Sequence, residues 1–286
     1  MPNAYEYVDV IRPPRLRAGD QVRLVSPAGS PQRAEVERVT RRLQSLGLTV
    51  SVGAHTLGTG GDENRIADID EALRDRSIKA IIDVGGGSAH RIAGDLDFAT
   101  AAHLPTLLVS REGTILHLAF WERAGLAGVY GDPGRSFVAA AFGAEPIRVR
   151  SEPDTPTAGL TTTGRASGIL LGGDQEQITT AAGWVLPSLH GAILLLEARG
   201  LTATQIDRQL TMLERAGRLT GLRGVAVGRY TECGPGPVLD VLRDRLTALG
   251  VPVLGGLPFG RDAVPIGTPA TVDADAGTLT IEPAVS

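Results

Sequence analysis

Short apolar segments that end near a glycine or a small polar residue, each followed by a helix-like segment, restrict the fold of this chain more than any other feature. Four of them lie at residues 21–26, 48–52, 80–84 and 107–109. The intervening segments space their apolar residues three or four apart, as one face of an amphipathic helix does. This alternation predicts an α/β fold, with a mostly parallel sheet covered by helices on both faces.

The segment LLVSREGTILH, residues 107–117, puts a hydroxyl group at the end of one of these strands. Ligands of parallel α/β sheets bind at the carboxyl ends of the strands, where the next helix also directs its free N–H groups. Ser110 is therefore either a nucleophile or an ordinary helix N-cap. The local sequence alone favours the cap, because no base stands beside the serine.

Three consecutive glycines, Gly85, Gly86 and Gly87, directly follow the strand predicted at 80–84. The P-loop lysine and the full dinucleotide fingerprint are missing, so the sequence gives little support to nucleotide binding. We expect these glycines to let the backbone approach a ligand closely and to supply N–H donors.

Glu197 closes the apolar run at 193–196 and is the second polar group predicted at the carboxyl end of a buried strand. A structural ion pair is the alternative role for this carboxylate. His117 lies about two helical turns, roughly 10 Å, beyond Ser110, which favours a packed helix histidine over a base for the serine. No HExxH motif or acidic cluster predicts a metal site.

A change of composition predicts two domains. Proline and threonine are concentrated in residues 144–165, as is typical of a linker. We therefore predict an N-terminal α/β domain over residues 1–143, which carries the serine turn. A smaller α/β C-terminal domain over residues 166–286 would carry Glu197 and contain a mixed sheet, since the chain ends in an alternating, hairpin-like segment at 270–281.

The composition excludes several classes of protein. The 286 residues are 42% hydrophobic and 21% charged, as in globular proteins. A net charge of −4 without a basic block gives no reason to expect a nucleic-acid partner. Cys233 is the one cysteine, so it forms neither an intrachain disulfide nor a cysteine metal site. The sequence lacks a membrane-length apolar run and an apolar signal-peptide region, so we predict a cytoplasmic protein that needs no cofactor.

Five separated segments resemble, in the same order, the LD-carboxypeptidase family, the S66 serine peptidases that include the microcin C immunity hydrolases. The segments are RPPRLRAGDQVRLVSPAG (12–29), ENRIADIDEALRDRSIKAIIDVGGG (63–87), ILLGGDQEQ (169–177), ILLLEARGLTATQIDRQLTML (193–213) and VPVLGGLPFGRDAVPIGTPATVD (251–273). The resemblance covers nearly the whole chain.

This resemblance implies a two-domain hydrolase with an interdomain serine, histidine and glutamate triad, which cleaves a peptide bond before a terminal D-amino acid. Ser110 matches the nucleophile and Glu197 the triad acid. The glycine loop matches the segment that helps to form the oxyanion hole. We assign to substrate binding five residues in the glycine loop, the serine turn and the segment at 169–177: Gly85, Gly86, Gly87, Arg111 and Asp174.

Two departures from the family pattern affect the chemistry. The family has Gly-His where this chain has Gly260 and Arg261, and the serine turn, SREGT, is one residue longer than in the family. A guanidinium stays protonated and cannot act as a general base, whereas imidazole can. Arg261 would instead pair with Glu197 or bind a substrate carboxylate. We therefore expect ordinary peptidase activity to be impaired.

Two kinds of function follow. In the first, the protein is an enzyme that acts on an acyl or amide group of a small anionic or peptide-like substrate, with Ser110, Glu197 and Arg261 in its site. It would be a hydrolase, or else a cyclase or lyase that needs less proton transfer. In the second, it is a catalytically silent relative that binds a peptide. The resemblance also suggests a homodimer.

Overall fold

The computed structural model describes residues 10–58, 60–134, 136–234, 236–259 and 262–286. These residues form two compact units. We call the described residues of 10–145, 262–267 and 283–286 the N-terminal unit, and those of 146–260 and 268–282 the C-terminal unit.

The N-terminal unit is built around a six-stranded sheet. The elements of this unit, numbered in chain order, are β1 (Gln21–Val25), α1 (Arg33–Gln44), β2 (Thr49–Val52), α2 (Asp62–Arg74), β3 (Ile78–Asp83), α3 (Phe98–His103), β4 (Leu107–Ser110), α4 (Thr114–Ala124), β5 (Gly128–Tyr130), α5 (Phe137–Phe142) and β11 (Val264–Ile266). The strand order in the sheet is β11-β5-β4-β3-β1-β2. Strands β1 to β5 are parallel, and β11 is antiparallel to β5.

The C-terminal unit contains a seven-stranded mixed sheet. The elements of this unit are β6 (Ile147–Arg150), a 3-10 helix (Pro156–Leu160), β7 (Arg165–Asp174), α6 (Gln175–Ala181), β8 (Ala192–Arg199), α7 (Ala203–Arg215), β9 (Gly224–Thr231), α8 (Val238–Thr247), β10 (Val253–Leu254), β12 (Pro269–Asp273) and β13 (Thr278–Ile281). The strand order in the sheet is β10-β9-β8-β7-β12-β13-β6. Strands β7 to β10 run parallel, and the remaining neighbouring strands are antiparallel.

Hydrophobic periodicity explains the helices that cover these sheets. Helix α1 buries Val36, Val39 and Leu43, which are spaced three and four residues apart on one face. The capping box of α7 joins Thr202 and Gln205, and the helix buries Ile206, Gln209, Leu210 and Leu213. The central strand β4 is buried along its whole length, and β3 and β8 are buried over most of theirs, as expected for strands covered on both faces.

The predicted α/β class is confirmed, and the apolar segments predicted as strands at 21–26, 48–52, 80–84 and 107–109 form β1, β2, β3 and β4. Strand β7 begins at Arg165, before the apolar residues at 169–171. Its first residues pair with β12, from Arg165 opposite Asp273 to Ile169 opposite Pro269. Long-range pairing therefore extends the strand into a polar segment.

Strand β6 and the 3-10 helix lie within residues 144–165, which the composition assigns to a linker. β6 pairs with β13 over four residue pairs, so this part of the segment belongs to a sheet. The predicted domain boundaries at 143 and 166 stay a prediction.

Candidate active site

Ser110 is the last residue of β4 and lies at the carboxyl edge of the N-terminal sheet. The two strands beside β4 are β3, which ends at Asp83, and β5, which ends at Tyr130. Since these strands are parallel, their carboxyl ends meet at the same edge, as the sequence predicted for a ligand site. Ser110 itself is 0% exposed.

The Ser110 hydroxyl group makes two hydrogen bonds within this unit. Its Oγ donates to Asp83 Oδ2 at 2.7 Å and accepts from the Gly113 N–H group at 2.8 Å. The N-cap of α4 is Gly113, so Ser110 is not the N-cap. The hydroxyl instead joins the end of β3 to the turn that precedes α4.

Asp83 is a member of this site that our sequence analysis missed. Its Oδ1 accepts from the Gly85 N–H group at 2.8 Å. Burial raises the pKa of Asp83 to about 6, the charges of Glu112 and Asp132 also raise it, and the hydrogen bonds from Ser110 and Gly85 oppose the increase. Asp83 directly follows the apolar run at 80–82, just as Glu197 follows the apolar run at 193–196, so the same pattern would have identified it.

The glycine loop lies against the loop that follows β1. A Cβ atom built on Gly85 would lie 2.0 Å from Ser26 Oγ, and one built on Gly29 would lie 1.9 Å from the Gly85 carbonyl oxygen. Gly86 and Gly87 have φ angles of 64° and 82°, in the left-handed region that favours glycine. These glycines therefore allow both a close contact between backbones and a tight turn.

The glycine loop also contacts the serine turn. Gly87 donates its N–H group to Glu112 Oε2 at 2.7 Å. Among the described residues, no acceptor is paired with the Gly86 N–H group. The structure thus brings the three predicted glycines to the same sheet edge as Ser110.

Arg111 pairs with Asp132, which follows β5, at 3.4 Å between Nη1 and Oδ2. Burial raises the pKa of Asp132, and the positive charge of Arg111 opposes that increase. Arg111 therefore lies at the predicted edge, where its guanidinium already has a carboxylate partner. Its predicted role in binding a substrate carboxylate stays a prediction.

His117 is a packed helix histidine, as predicted, and contacts the backbone of Ser110. Its Nε2 lies 3.1 Å from the Ser110 carbonyl oxygen. Because a carbonyl oxygen only accepts hydrogen bonds, Nε2 carries the proton. Side chains of a helix point towards its N-terminus, which brings this ring closer to Ser110 than the spacing along the helix axis suggested. Burial lowers the pKa of His117 to about 4.

In the C-terminal unit, a second set of polar side chains lies at the carboxyl edge of the sheet. Glu197 of β8 lies opposite Asp174, the last residue of β7. Asp174 is the N-cap of α6, where its Oδ1 accepts from the Gln177 N–H group at 3.0 Å. Burial raises the pKa of nearby Tyr230, and the charges of Asp174, Cys233 and Glu197 add to this effect.

Tyr230 extends this group into the unit's interior. Its hydroxyl group donates to Gln175 Oε1 at 2.7 Å, and Gln175 Nε2 donates to Gln209 Oε1 at 2.9 Å. Gln175 is completely buried. Sequence reasoning also missed this network, because buried glutamines have no distinctive spacing.

Arg261, the third predicted catalytic residue, lies outside the described residues. Its pairing with Glu197 therefore stays a prediction. Among the described residues, no group of three or more His, Cys, Asp or Glu side chains could hold a metal ion. Within the described ranges, no helix is long and apolar enough to cross a membrane.

The fold and these residues define an α/β protein of two sheet-containing units, with a serine and a glutamate each at the carboxyl edge of one sheet. Residues 22–131 match the LD-carboxypeptidase N-terminal domain, and residues 167–273 match the LD-carboxypeptidase C-terminal domain. The chain belongs to the LD-carboxypeptidase (S66) family, a family of peptidases.

Relatives of similar length support this assignment. The chain is 34% identical to the "Putative carboxypeptidase SCO6489" of Streptomyces coelicolor, over 96% of this chain and 97% of that protein. It is 30% identical to the "Probable murein peptide carboxypeptidase" of Bacillus subtilis, over 96% of this chain and 95% of that protein.

Solved structures show the same fold. The microcin C7 self immunity protein MccF, in complex with aspartyl sulfamoyl adenosine, has a TM-score of 0.83 at 18% identity, over 96% of this chain and all of that one. The muramoyltetrapeptide carboxypeptidase from Oxalobacter formigenes has a TM-score of 0.78 at 23% identity, over 93% of this chain and all of that one.

Proposed function

We propose that this protein is a serine hydrolase that cleaves an amide or acyl bond in a small anionic or peptide-like substrate. Ser110 would be the nucleophile, and Glu197 would act with it in one site, as the family resemblance implies. The observation that carries the proposal is the 2.7 Å hydrogen bond from Ser110 Oγ to Asp83, which gives the hydroxyl group a proton acceptor.

The proposed substrate class draws on the relatives. Their names refer to murein peptides and a muramoyltetrapeptide, and the ligand of the microcin protein is an aminoacyl sulfamoyl nucleoside. Each name points to an amide or acyl bond in a small polar molecule. Arg111 and Arg261 would bind a carboxylate of such a substrate through the planar guanidinium group, and Gly86 would donate its N–H group to the oxyanion.

We further propose that ordinary carboxypeptidase activity is weak, because Arg261 replaces the family's histidine. Losing a general base typically costs about 10²–10⁴-fold in rate. The proposal also includes a cytoplasmic homodimer, which cell fractionation and sedimentation equilibrium would test.

The direct test is release of the terminal D-alanine from a murein tetrapeptide, followed by mass spectrometry. We expect slow release by the native chain and at least about 100-fold slower release by Ser110→Ala. Glu197→Gln should also lose activity. Ser45→Ala, at the residue that follows α1, and Glu214→Gln, on α7, change exposed side chains and serve as matched controls. Release unchanged in Ser110→Ala would contradict the proposal.

Arg261→His tests the argument about the missing base. If only the base is lacking, this variant should release D-alanine at least about tenfold faster than the native chain. An unchanged rate would mean that the longer serine turn or another residue limits the reaction.

A second function, peptide binding without turnover, is favoured by the burial of Ser110. The residue is 0% exposed and its Oγ already makes two hydrogen bonds, as in a purely structural turn. Calorimetric binding of the tetrapeptide, without release and without a covalent adduct at Ser110, would support this alternative.

A further inference from the structure

The hydroxyl group of Ser110 has a carboxylate partner in its own unit. Oγ lies 2.7 Å from Asp83 Oδ2, and the two residues end the adjacent parallel strands β4 and β3. The Gly85 N–H group holds the other carboxylate oxygen, and the Gly113 N–H group binds the far side of Oγ. The side chains of Ser110 and Asp83 are both short, so the pairing of β3 with β4 sets the distance between Oγ and Oδ2.

We propose that Asp83 is the general base of the reaction, the group that takes the proton from Ser110 Oγ as this oxygen attacks the substrate. The inference rests on the proposed function, in which Ser110 is the nucleophile. It assigns to a strand-end carboxylate the proton transfer for which Arg261 is unsuited.

The proton transfers balance with Asp83 as the only acid and base. As Oγ bonds to the substrate carbonyl carbon, its proton moves to Asp83 Oδ2 and the carbonyl oxygen becomes an oxyanion. The oxyanion then collapses, the carbon–nitrogen bond breaks, and Asp83 returns the proton to the leaving amine. Water next adds to the acyl-serine ester and gives a proton to Asp83, which passes it to Oγ as the acid product leaves.

The electrostatics of this step are favourable in a buried site. The negative charge moves from the Asp83 carboxylate to the oxyanion, so proton transfer creates no new pair of opposite charges. The Gly86 N–H group, which lacks an acceptor among the described residues, would stabilise that charge in its new position.

The acidity of Asp83 suits the role. An ordinary aspartate has a pKa of about 4 and is a weak base, whereas imidazole has a pKa of about 6.5. Burial raises the pKa of Asp83 to about 6, so it is a stronger base and still mostly ionised at neutral pH.

The charged groups around Asp83 come from several elements. Glu112 of the serine turn and Asp132 after β5 both raise its pKa by their negative charge. Arg111 balances Asp132, and Arg65 of α2 binds the Ser26 and Gly29 carbonyl oxygens beside the glycine loop. The site around Asp83 therefore retains enough negative charge to oppose its ionisation.

The test is the rate at which a fluorophosphonate forms an adduct at Ser110, measured by mass spectrometry of the intact protein between pH 5 and 9. In this reaction the Oγ–phosphorus bond forms, fluoride leaves and the hydroxyl proton passes to the base. We expect the native rate to fall about tenfold per pH unit below about pH 6, since protonated Asp83 cannot accept the proton.

Asp83→Asn keeps an acceptor oxygen but cannot take a proton. Its labelling rate at pH 8 should be at least about 100-fold lower, without the decline near pH 6. Asp83→Glu retains a carboxylate and should keep a decline at acid pH, so it tests the idea even if the asparagine variant folds poorly. Asp75→Asn is the matched control, because Asp75 accepts a 2.6 Å hydrogen bond from Ser77 Oγ at an exposed site.

The possible outcomes separate this inference from the proposed function. If Ser110 is labelled at equal rates in the native chain and Asp83→Asn, the inference is wrong while the proposed function stands. A slower Asp83→Asn that keeps the native decline near pH 6 would make Asp83 a positioning residue and also overturn the inference. If the native chain forms no adduct and releases no product at any pH, both are wrong.

Discussion

At the scale of the residue, the two buried titratable groups beside Ser110 respond to pH in opposite ways. Burial raises the pKa of Asp83 to about 6, so its contribution to stability is complete below the unfolded value of about 4 and is lost as pH rises through about 6. Burial lowers the pKa of His117 to about 4. Its contribution is complete above about pH 6.5 and is lost as pH falls through about 4.

His117→Gln should remove the second of these effects. We expect the free energy of unfolding of the native chain to fall, relative to this variant, by about 2.5 kcal/mol between pH 6.5 and 4, because the unfolded chain takes up a proton that the buried imidazole does not. Urea unfolding at each pH measures it, and Asp83 is common to both proteins. His103→Gln, at the exposed end of α3, is the control. Parallel pH curves for the native chain and His117→Gln would contradict the prediction.

At the scale of the element, the loops after β1 and β3 determine where the candidate site can form. Gly29 and Gly85 let the two backbones touch, and Gly86 and Gly87 turn the chain back towards Glu112. The glycines were predicted to contact a ligand through their backbone. The structure adds a packing role for Gly85, because Ser26 occupies the space that a side chain there would need.

Gly85→Ala should therefore destabilise the N-terminal unit. The added Cβ would lie 2.0 Å from Ser26 Oγ and 3.0 Å from Ser26 Cα, so a loop must move. Overpacking of this kind typically costs about 1–3 kcal/mol in the free energy of unfolding. Denaturant unfolding measures the change. Gly159→Ala, at an exposed position with nothing within 4 Å of the added atom, should be nearly neutral; equal effects of the two would argue against a packing role.

At the scale of the whole molecule, the order of residues along the chain does not match the division into units. β11 and residues 283–286 belong to the N-terminal unit, although more than a hundred residues of the C-terminal unit precede them. The Ser286 N–H group donates to the Pro13 carbonyl oxygen at 3.0 Å, and the Ser286 carbonyl oxygen accepts from Arg15 at 3.1 Å. Ala284 and Val285 are buried.

Removal of residues 283–286 should destabilise the N-terminal unit by about 2–4 kcal/mol, because it exposes the surface that Val285 and Ala284 cover and breaks two backbone hydrogen bonds. The denaturant midpoint of the truncated protein, read by circular dichroism, measures the loss. Ser286→Ala retains the backbone and changes only an exposed side chain, so it should unfold like the native chain. An unchanged midpoint after truncation would show that these residues add no stability.

Local patterns determined much of this protein. Alternating strand and helix segments were sufficient for the α/β class, and Ser110 and Glu197 were identified as polar residues at the ends of apolar runs. Such features depend on residues that are close in the sequence, where periodicity and turn chemistry act directly.

Only the tertiary structure decided which of these groups meet. The pairing of Ser110 with Asp83 joins residues 27 positions apart, and β11 joins a sheet whose other strands lie far earlier in the chain. Contacts of this kind depend on strand order and register, which are set by burial of the assembled sheet and leave no mark on either segment alone. The sequence by itself thus determined the helices and strands and the family, and the pairing of β3 with β4 decided which carboxylate lies beside the serine.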